Sequence, residues 1–422
     1  MGFATALSGL NAAANNLAIT GSNIANANTT GFKESRSEFV DVYASSIGGA
    51  SKTQSGSGVR VADVAQQFNQ GTLDSTGNSL DMAINGDGFF TLSDNPTDIS
   101  SLAYSRAGAF QVNKDGIVTN SQGQALLAYK PNGTTVADGF STGVLTAVSL
   151  NTGAGLPVST TKVDLNVNLD ATAPVPLTAP FSPTDPTTYT KQSSVTIYDS
   201  LGTSHLLTTY FVADVATPPT RDWTAYHYIT DNPLAPVPVD VAPAKKLTFD
   251  STGKLTLPVN GQVTLAPYVT GTSAADISAK MDYTGSTQLS SAFSVNALKQ
   301  DGLAAGKLTG VAVDDTGVVF ARFSNGGITP LGKVALTRFT NPQGLTKLGD
   351  TTWKQSTASG APIPGEPGTG SFGLIQSGSL EQSNVDLSKQ LVNLIIAQQA
   401  YQANSQTISA ENKIIETILN IR

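Results

Sequence analysis

Proline decides where this chain can form long helices. The first proline is Pro96 and the last is Pro367, and 14 of the 21 prolines lie between Pro157 and Pro267. A proline inside a helix removes a backbone hydrogen bond and clashes with the preceding turn. Long helices are therefore confined to the two ends, and the middle must be built from short extended runs and turns.

Both ends carry a helical rhythm. Phe3, Leu7, Leu10, Ala14, Leu17, Gly21 and Ile24 recur in alternating steps of four and three, a heptad seam held for three repeats. Alanine fills much of the remainder, and Asn26, Asn28 and Gly31 supply stop signals. This predicts a helix of roughly 35 Å. At the other end Leu387, Leu391, Leu394, Gln398, Tyr401, Ser405, Ile408, Asn412, Ile415 and Leu419 keep the same rhythm, with Ile395, Ile414 and Ile418 widening the stripe. Ser383 or Asn384 is placed to cap this helix, which would run about 55 Å. From Gln390 to Ala410 there is no charged residue. The expectation is that the first helix pairs with the last and that the pair packs against copies from other chains. The seam would be Phe3, Leu7, Leu10, Leu17 and Ile24 with Leu387, Leu391, Leu394, Ile395, Tyr401, Ile408, Ile415 and Leu419.

Between the ends the grammar is that of strands. Short alternating runs such as Val195–Tyr198 and Val318–Phe323 are separated by turn signals at Asp115-Gly116, Asp199–Gly202, Asp250–Gly253, Asp315–Gly317 and Asn325-Gly326. The order is helix, β, β, helix. The expected fold is multidomain: an α-helical coiled-coil terminal domain plus two mainly-β domains.

Composition narrows the function. The formal net charge is -7 and the 24 Lys+Arg form no cluster, which argues against a nucleic-acid or anionic-membrane binder. Only 13% of residues are charged, against about 25% in ordinary soluble domains; such a surface suits burial under neighbouring subunits. There is no cysteine, so no disulfide, thiolate metal site or thiol nucleophile. No apolar run is long enough to span a bilayer. No Lys or Arg precedes Lys33 and asparagines interrupt the first apolar stretch, so a cleaved signal peptide is not expected.

No catalytic, metal or cofactor constellation stands out. His205 and His227 sit in strand-like runs and read as structural. Gly302–Lys307 is one residue short of a phosphate loop, and Leu308 stands where magnesium needs a hydroxyl. Gly86-Asp87-Gly88 reads as a tight turn into an apolar strand. A glycosidase needs only two carboxylates, so a secreted β-rich carbohydrate-active enzyme is the alternative of a different class. Most of the 31 Asp+Glu, however, fall at turns.

Three stretches resemble the flagellar rod and hook axial family. The first runs Ser8-Gly9-Leu10, Ala13–Leu17 and Ser22–Lys33. The second is Gly86–Phe90 with Tyr104–Gly108 and Asn113–Gly116. The third is Ser377–Leu387 with Gln398–Asn404. Within that family the extra residues from about Ser141 to Met281, with Ile197–His205, resemble the hook members; a distal rod subunit is the alternative. The resemblance implies a helical polymerisation domain (1–30 and 385–422), a connecting strap (31–70, most flexible over 45–57), a discontinuous middle β domain (71–140 and 282–375) and an inserted outer β domain (141–281). It implies a structural subunit of a flexible extracellular tube, with no cofactor. Its partners would be other copies of itself, the distal rod protein, the hook cap, the hook–filament junction protein and the flagellar type III export apparatus. Phe39 and Tyr43 resemble the short motif that export substrates present to the export gate.

Overall fold

The computed structural model describes residues 2–42, 56, 58–96, 98–150, 155–215, 222–241 and 245–420. The fold is mostly β, with one long helix near each end, α1 (Gly2–Ala25) and α2 (Leu387–Leu419). The alanine-rich, proline-free ends form these helices because nothing in them interrupts the backbone ladder. The cap of α2 differs from expectation. Asp386 is the N-cap, its carboxylate accepting from the amides of Ser388 and Lys389. Asn384 is instead committed to the chain beside it: its Nδ2 donates to the carbonyls of Gln67 and Asn69, and its Oδ1 accepts from the Glu34 amide.

After α1 the chain forms an antiparallel hairpin, Ser35–Asp41 with Val59–Gln66, which packs on α1. This hairpin lies within the expected strap. The part expected to be most flexible, 45–57, falls outside the described residues apart from Gly56.

The chain divides into two compact units, Met1–Asn151 with Gly310–Ala321 and Ile328–Arg422, and Thr152–Thr309 with Arg322–Gly327. In the first unit an antiparallel sheet runs through Ile328–Val334, Ala125–Pro131, Phe89–Asn95, Asp98–Ser105, Thr352–Lys354 and Thr346–Gly349. Two small pairings, Leu374–Ser377 with Met82–Asn85 and Ser379–Glu381 with Leu73–Ser75, join the chain before α2 to the early strands. Phe68, Phe89, Tyr104, Phe339 and Trp353 fill the core in edge-to-face contacts, with ring centroids 4.8 Å apart for Tyr104 and Phe339. Burial pushes the Tyr104 phenol up to about 12.

In the second unit Lys191–Tyr198, Ser204–Ala213, Asp222–Ile229, Lys245–Phe249 and Leu255–Leu257 form an antiparallel sheet. A further sheet is centred on Lys162–Asp170, which pairs in parallel with Lys280–Asp282 and Thr287–Leu289 and antiparallel with Ser294–Gln300. Phe211, Trp223, Phe249 and Met281 are fully buried in the shared core. The insert drawn from sequence at 141–281 overlaps this unit but not its limits. Phe140–Ala147 pairs with Ala125–Pro131 in the first unit, and the ladder on Lys162–Asp170 holds residues up to 300 in the second.

Candidate assembly surface

α1 and α2 pack antiparallel. Gly9 lies against Asn404, and Asn23 Nδ2 lies 3.4 Å from Gln390 Oε1. Fourteen residues separate the two contact points on each helix, in opposite directions, about 21 Å at helical rise. The residues between the helices are small or polar. Ala6, Ala13, Thr20 and Asn23 are buried on α1, and Gln390 and Ala397 on α2. An alanine and glycine seam lets the backbones approach closely, and a Cβ on Gly9 would meet Asn404 Oδ1 at 2.6 Å.

Polar clamps fix the register. Asn23 Nδ2 donates to the Ser35 carbonyl at 2.8 Å, and Asn23 Oδ1 accepts from the Ser35 amide at 3.0 Å. This is a strand-like pairing made by one side chain. Gln390 Nε2 donates to Glu34 Oε1 at 2.7 Å. Helix α1, the hairpin after it and the first turns of α2 are thereby locked together.

The large apolar side chains of the sequence-derived seam lie elsewhere. Leu10, Leu17, Ile24, Leu394 and Ile408 are half-buried, while Phe3, Leu7, Leu387, Leu391, Ile395, Tyr401, Ile415 and Leu419 are exposed. Val392, Ile396, Ile414 and Ile418 extend the uncovered face, with Leu419 reaching 71% exposure. By the antiparallel register, the last two turns of α2 reach past the start of α1. Phe39 is exposed on the hairpin; Tyr43 lies outside the described residues.

The sequence-derived seam did not include Ala6, Ala13, Thr20 or Asn23, nor Gln390, Ala397 or Asn404. The seven-residue spacing of Ala6, Ala13 and Thr20, and of Gln390, Ala397 and Asn404, was present to be read. Small and polar residues at that spacing carry no apolar signal, so the larger stripe beside them dominated.

A buried ionic cluster stitches three distant segments beneath this surface. Lys33 Nζ lies 2.6 Å from Glu381 Oε1 and 2.8 Å from the Asn69 carbonyl, and Arg106 Nη1 lies 3.3 Å from Glu381 Oε2. The Gly71 amide and the Gly31 amide donate to the Glu381 carboxylate and carbonyl respectively. Burial lowers the pKa of both Lys33 and Arg106, and the Glu381 charge pulls each back up. Backbones meet tightly here. Gly31 has φ +70°, and a Cβ on Gly108 would lie 1.7 Å from the Met82 carbonyl oxygen, so neither position accepts a side chain.

The histidines are held inside the second unit. His227 is buried, with Nδ1 2.6 Å from Asp240 and Nε2 2.6 Å from the Tyr283 hydroxyl; His205 Nδ1 lies 2.5 Å from Asp231. Burial raises the Tyr283 pKa. Turn aspartates serve their turns: Asp199, Asp250 and Asp314 each accept two amides from the residues that follow. Gly302–Lys307 leads into a strand, Leu308–Val313, not a helix. Among the described residues no group of acidic or histidine side chains is arranged to hold a metal, and no helix is long and apolar enough to cross a membrane.

Four family matches tile this architecture. Residues 3–33 match the flagella basal body rod protein family, 83–172 the flagellar hook protein FlgE/F/G D1 domain, 168–303 the flagellar basal body protein FlaE D2 domain, and 376–421 the flagellar basal body rod FlgEFG protein C-terminal family. Flagellar hook protein FlgE of Salmonella typhimurium is 37% identical over 427 residues, covering 100% of both chains. The FlgE of Escherichia coli is 36% identical, again over 100% of both, and that of Borreliella burgdorferi 31% identical over 99% of this chain and 98% of its own. In fold, the chain is similar to the crystal structure of Helicobacter pylori flagellar hook protein FlgE2, with a TM-score of 0.53, 17% identity, and coverage of 73% of this chain and 100% of that one.

The architecture and these matches define a flagellar axial subunit, one of a structural class that assembles into the basal body and hook. The chain belongs to the flagellar hook protein family and is a structural subunit of the bacterial flagellar hook.

Proposed function

We propose that the subunit polymerises through its two terminal helices, with the exposed apolar face of α1 and α2 as the contact between copies. The pair itself is a short antiparallel coiled coil whose seam is small and polar. Its large apolar residues are thereby left for neighbours. The observation that carries this reading is the exposure of Leu387, Leu391, Ile395, Ile415 and Leu419 on one helix, beside Phe3 and Leu7 on the other. Each such side chain contributes roughly 1.5–3 kcal/mol when fully buried. Uncovered in a lone subunit, they favour assembly.

In this reading the helical pair is the inner, cohesive layer of a tube that transmits torque. The chain is not an enzyme. The subunit leaves the cell through the flagellar type III export apparatus without a cleaved signal, with Phe39 and Tyr43 as the export-gate motif. It adjoins the distal rod protein, the hook cap and the hook–filament junction protein. A surface with few fixed charges supports this, because shallow interchangeable contacts allow outer domains to slide as the tube bends.

Ile395→Asp tests the assembly surface. Ile395 is exposed in the lone subunit, so the variant should fold with an unchanged melting transition yet form no tubes by electron microscopy. Tubes of normal length from Ile395→Asp would remove this face from the interface.

A further inference from the structure

In the first unit, Phe68, Asp87, Phe89, Arg106, Arg338 and Phe339 line a solvent-open cavity of about 90 Å³. That is room for about three waters, or for the carboxylate end of one side chain. Its walls are aromatic, and the Arg106 guanidinium stacks 5.4 Å from the Phe89 ring centroid.

The charges around it are unbalanced. Arg106 and Lys33 share one carboxylate, Glu381, whose side chain and that of Lys33 are fully buried. A guanidinium stays ionised in proteins, so Arg106 alone accounts for the Glu381 charge. Arg106 is 4% exposed, and its buried Nε–H has no acceptor. At the rim, Arg338 faces Asp87 at a loose 3.5 Å, with Asp87 largely exposed, and Arg338 Nη1 donates to the Ser371 hydroxyl. Two arginines thus border a cavity whose nearby acid is a solvated, displaceable one.

We propose that this cavity receives the carboxylate of an aspartate or glutamate side chain from a neighbouring copy of the chain, adding a charged contact between β units to the apolar contact between helices. The segments outside the described residues hold no Asp or Glu, so none of them can supply the acid. A second copy can: acids outnumber bases, 31 to 24, and many stand at exposed turns. Paired arginines on an aromatic wall recognise a carboxylate through charge and a forked donor set. The proposal rests on the self-assembly of the subunit.

The test uses the purified full chain. Arg338 is partly exposed and outside the buried cluster, so Arg338→Gln should fold normally. It should raise the protein concentration needed for tube formation by about two- to fivefold, the range for a partly exposed ion pair. Asp87→Asn, which removes the competing acid, should lower it. Sodium acetate should inhibit wild-type assembly more than sodium chloride at equal ionic strength, and that difference should vanish in Arg338→Gln. Equal assembly by Arg338→Gln and wild type, or acetate acting like chloride, would overturn the proposal while leaving helix-driven assembly intact. A folded wild type that never assembles would sink the assembly reading and this contact with it.

Discussion

Lys33 and Glu381, 348 residues apart in the sequence, form an ion pair of 2.6 Å with both side chains fully shielded from water. The pair joins the segment that leaves α1 to the segment that enters α2. Arg106 completes the cluster from the sheet of the first unit. The terminal helices are therefore anchored to the β scaffold at one charged point, not merely tethered to it.

Removing one partner of a buried pair leaves an uncompensated charge, which costs about 3–5 kcal/mol. Glu381→Gln strands two basic groups and should destabilise the first unit by roughly that amount. Lys33→Met should cost less, because Arg106 and Glu381 remain as a balanced pair. Urea denaturation of the two variants measures the order; a Lys33→Met variant less stable than Glu381→Gln would contradict it.

Asn23 substitutes for a strand by bonding both backbone groups of Ser35. Asn23→Ala leaves the amide and carbonyl of the half-buried Ser35 without this partner, at about 1 kcal/mol or somewhat more. The expected result is faster hydrogen exchange across α1 and the hairpin Ser35–Asp41, with the second unit unaffected.

Gly9 holds the helices close at Asn404. Gly9→Ala asks only for a shift of the flexible Asn404 amide and should be tolerated. Gly9→Leu would force the backbones apart, and overpacking of this kind costs about 1–3 kcal/mol. Limited proteolysis should release α2 in Gly9→Leu and leave it resistant in Gly9→Ala.

Asp282 predicts an acid limb to the stability of the second unit. Burial opposes its ionisation, but hydrogen bonds from Thr284, Lys162 and Gln262 prevail and lower its pKa from 3.8 to about 2. A carboxylate depressed in the folded state adds stability above its unfolded pKa and loses it as pH falls through the folded one. The stabilisation, about 2 kcal/mol at most, should be complete by about pH 5 and fade between pH 4 and 2. Melting curves of Asp282→Asn should show a flatter decline over that interval than wild type.

The proline distribution and the heptad rhythm were enough to place both helices and to make the middle β. Those signals are local: each depends on residues a few positions apart, and the structure has α1 at Gly2–Ala25 and α2 at Leu387–Leu419. The stripe of large apolar residues was equally legible. What lay out of reach was which face each helix gives to the other. The inner face went to Ala6, Ala13, Thr20, Gln390 and Ala397, because close approach rewards small side chains and polar pairs fix register, and that choice depends on a partner hundreds of residues away. The cap shows the same limit: Asn384 was a credible N-cap by local rule, yet its amide was claimed by Gln67, Asn69 and Glu34. Lys33, Arg106 and Glu381 could be read as members of separate motifs, but only the folded chain brings them to one dry point where charge must be shared. Sequence determined the elements, since backbone propensity and periodicity act locally. Tertiary structure decided which surfaces are spent inside the subunit and which stay exposed, since burial and charge balance are properties of the whole arrangement.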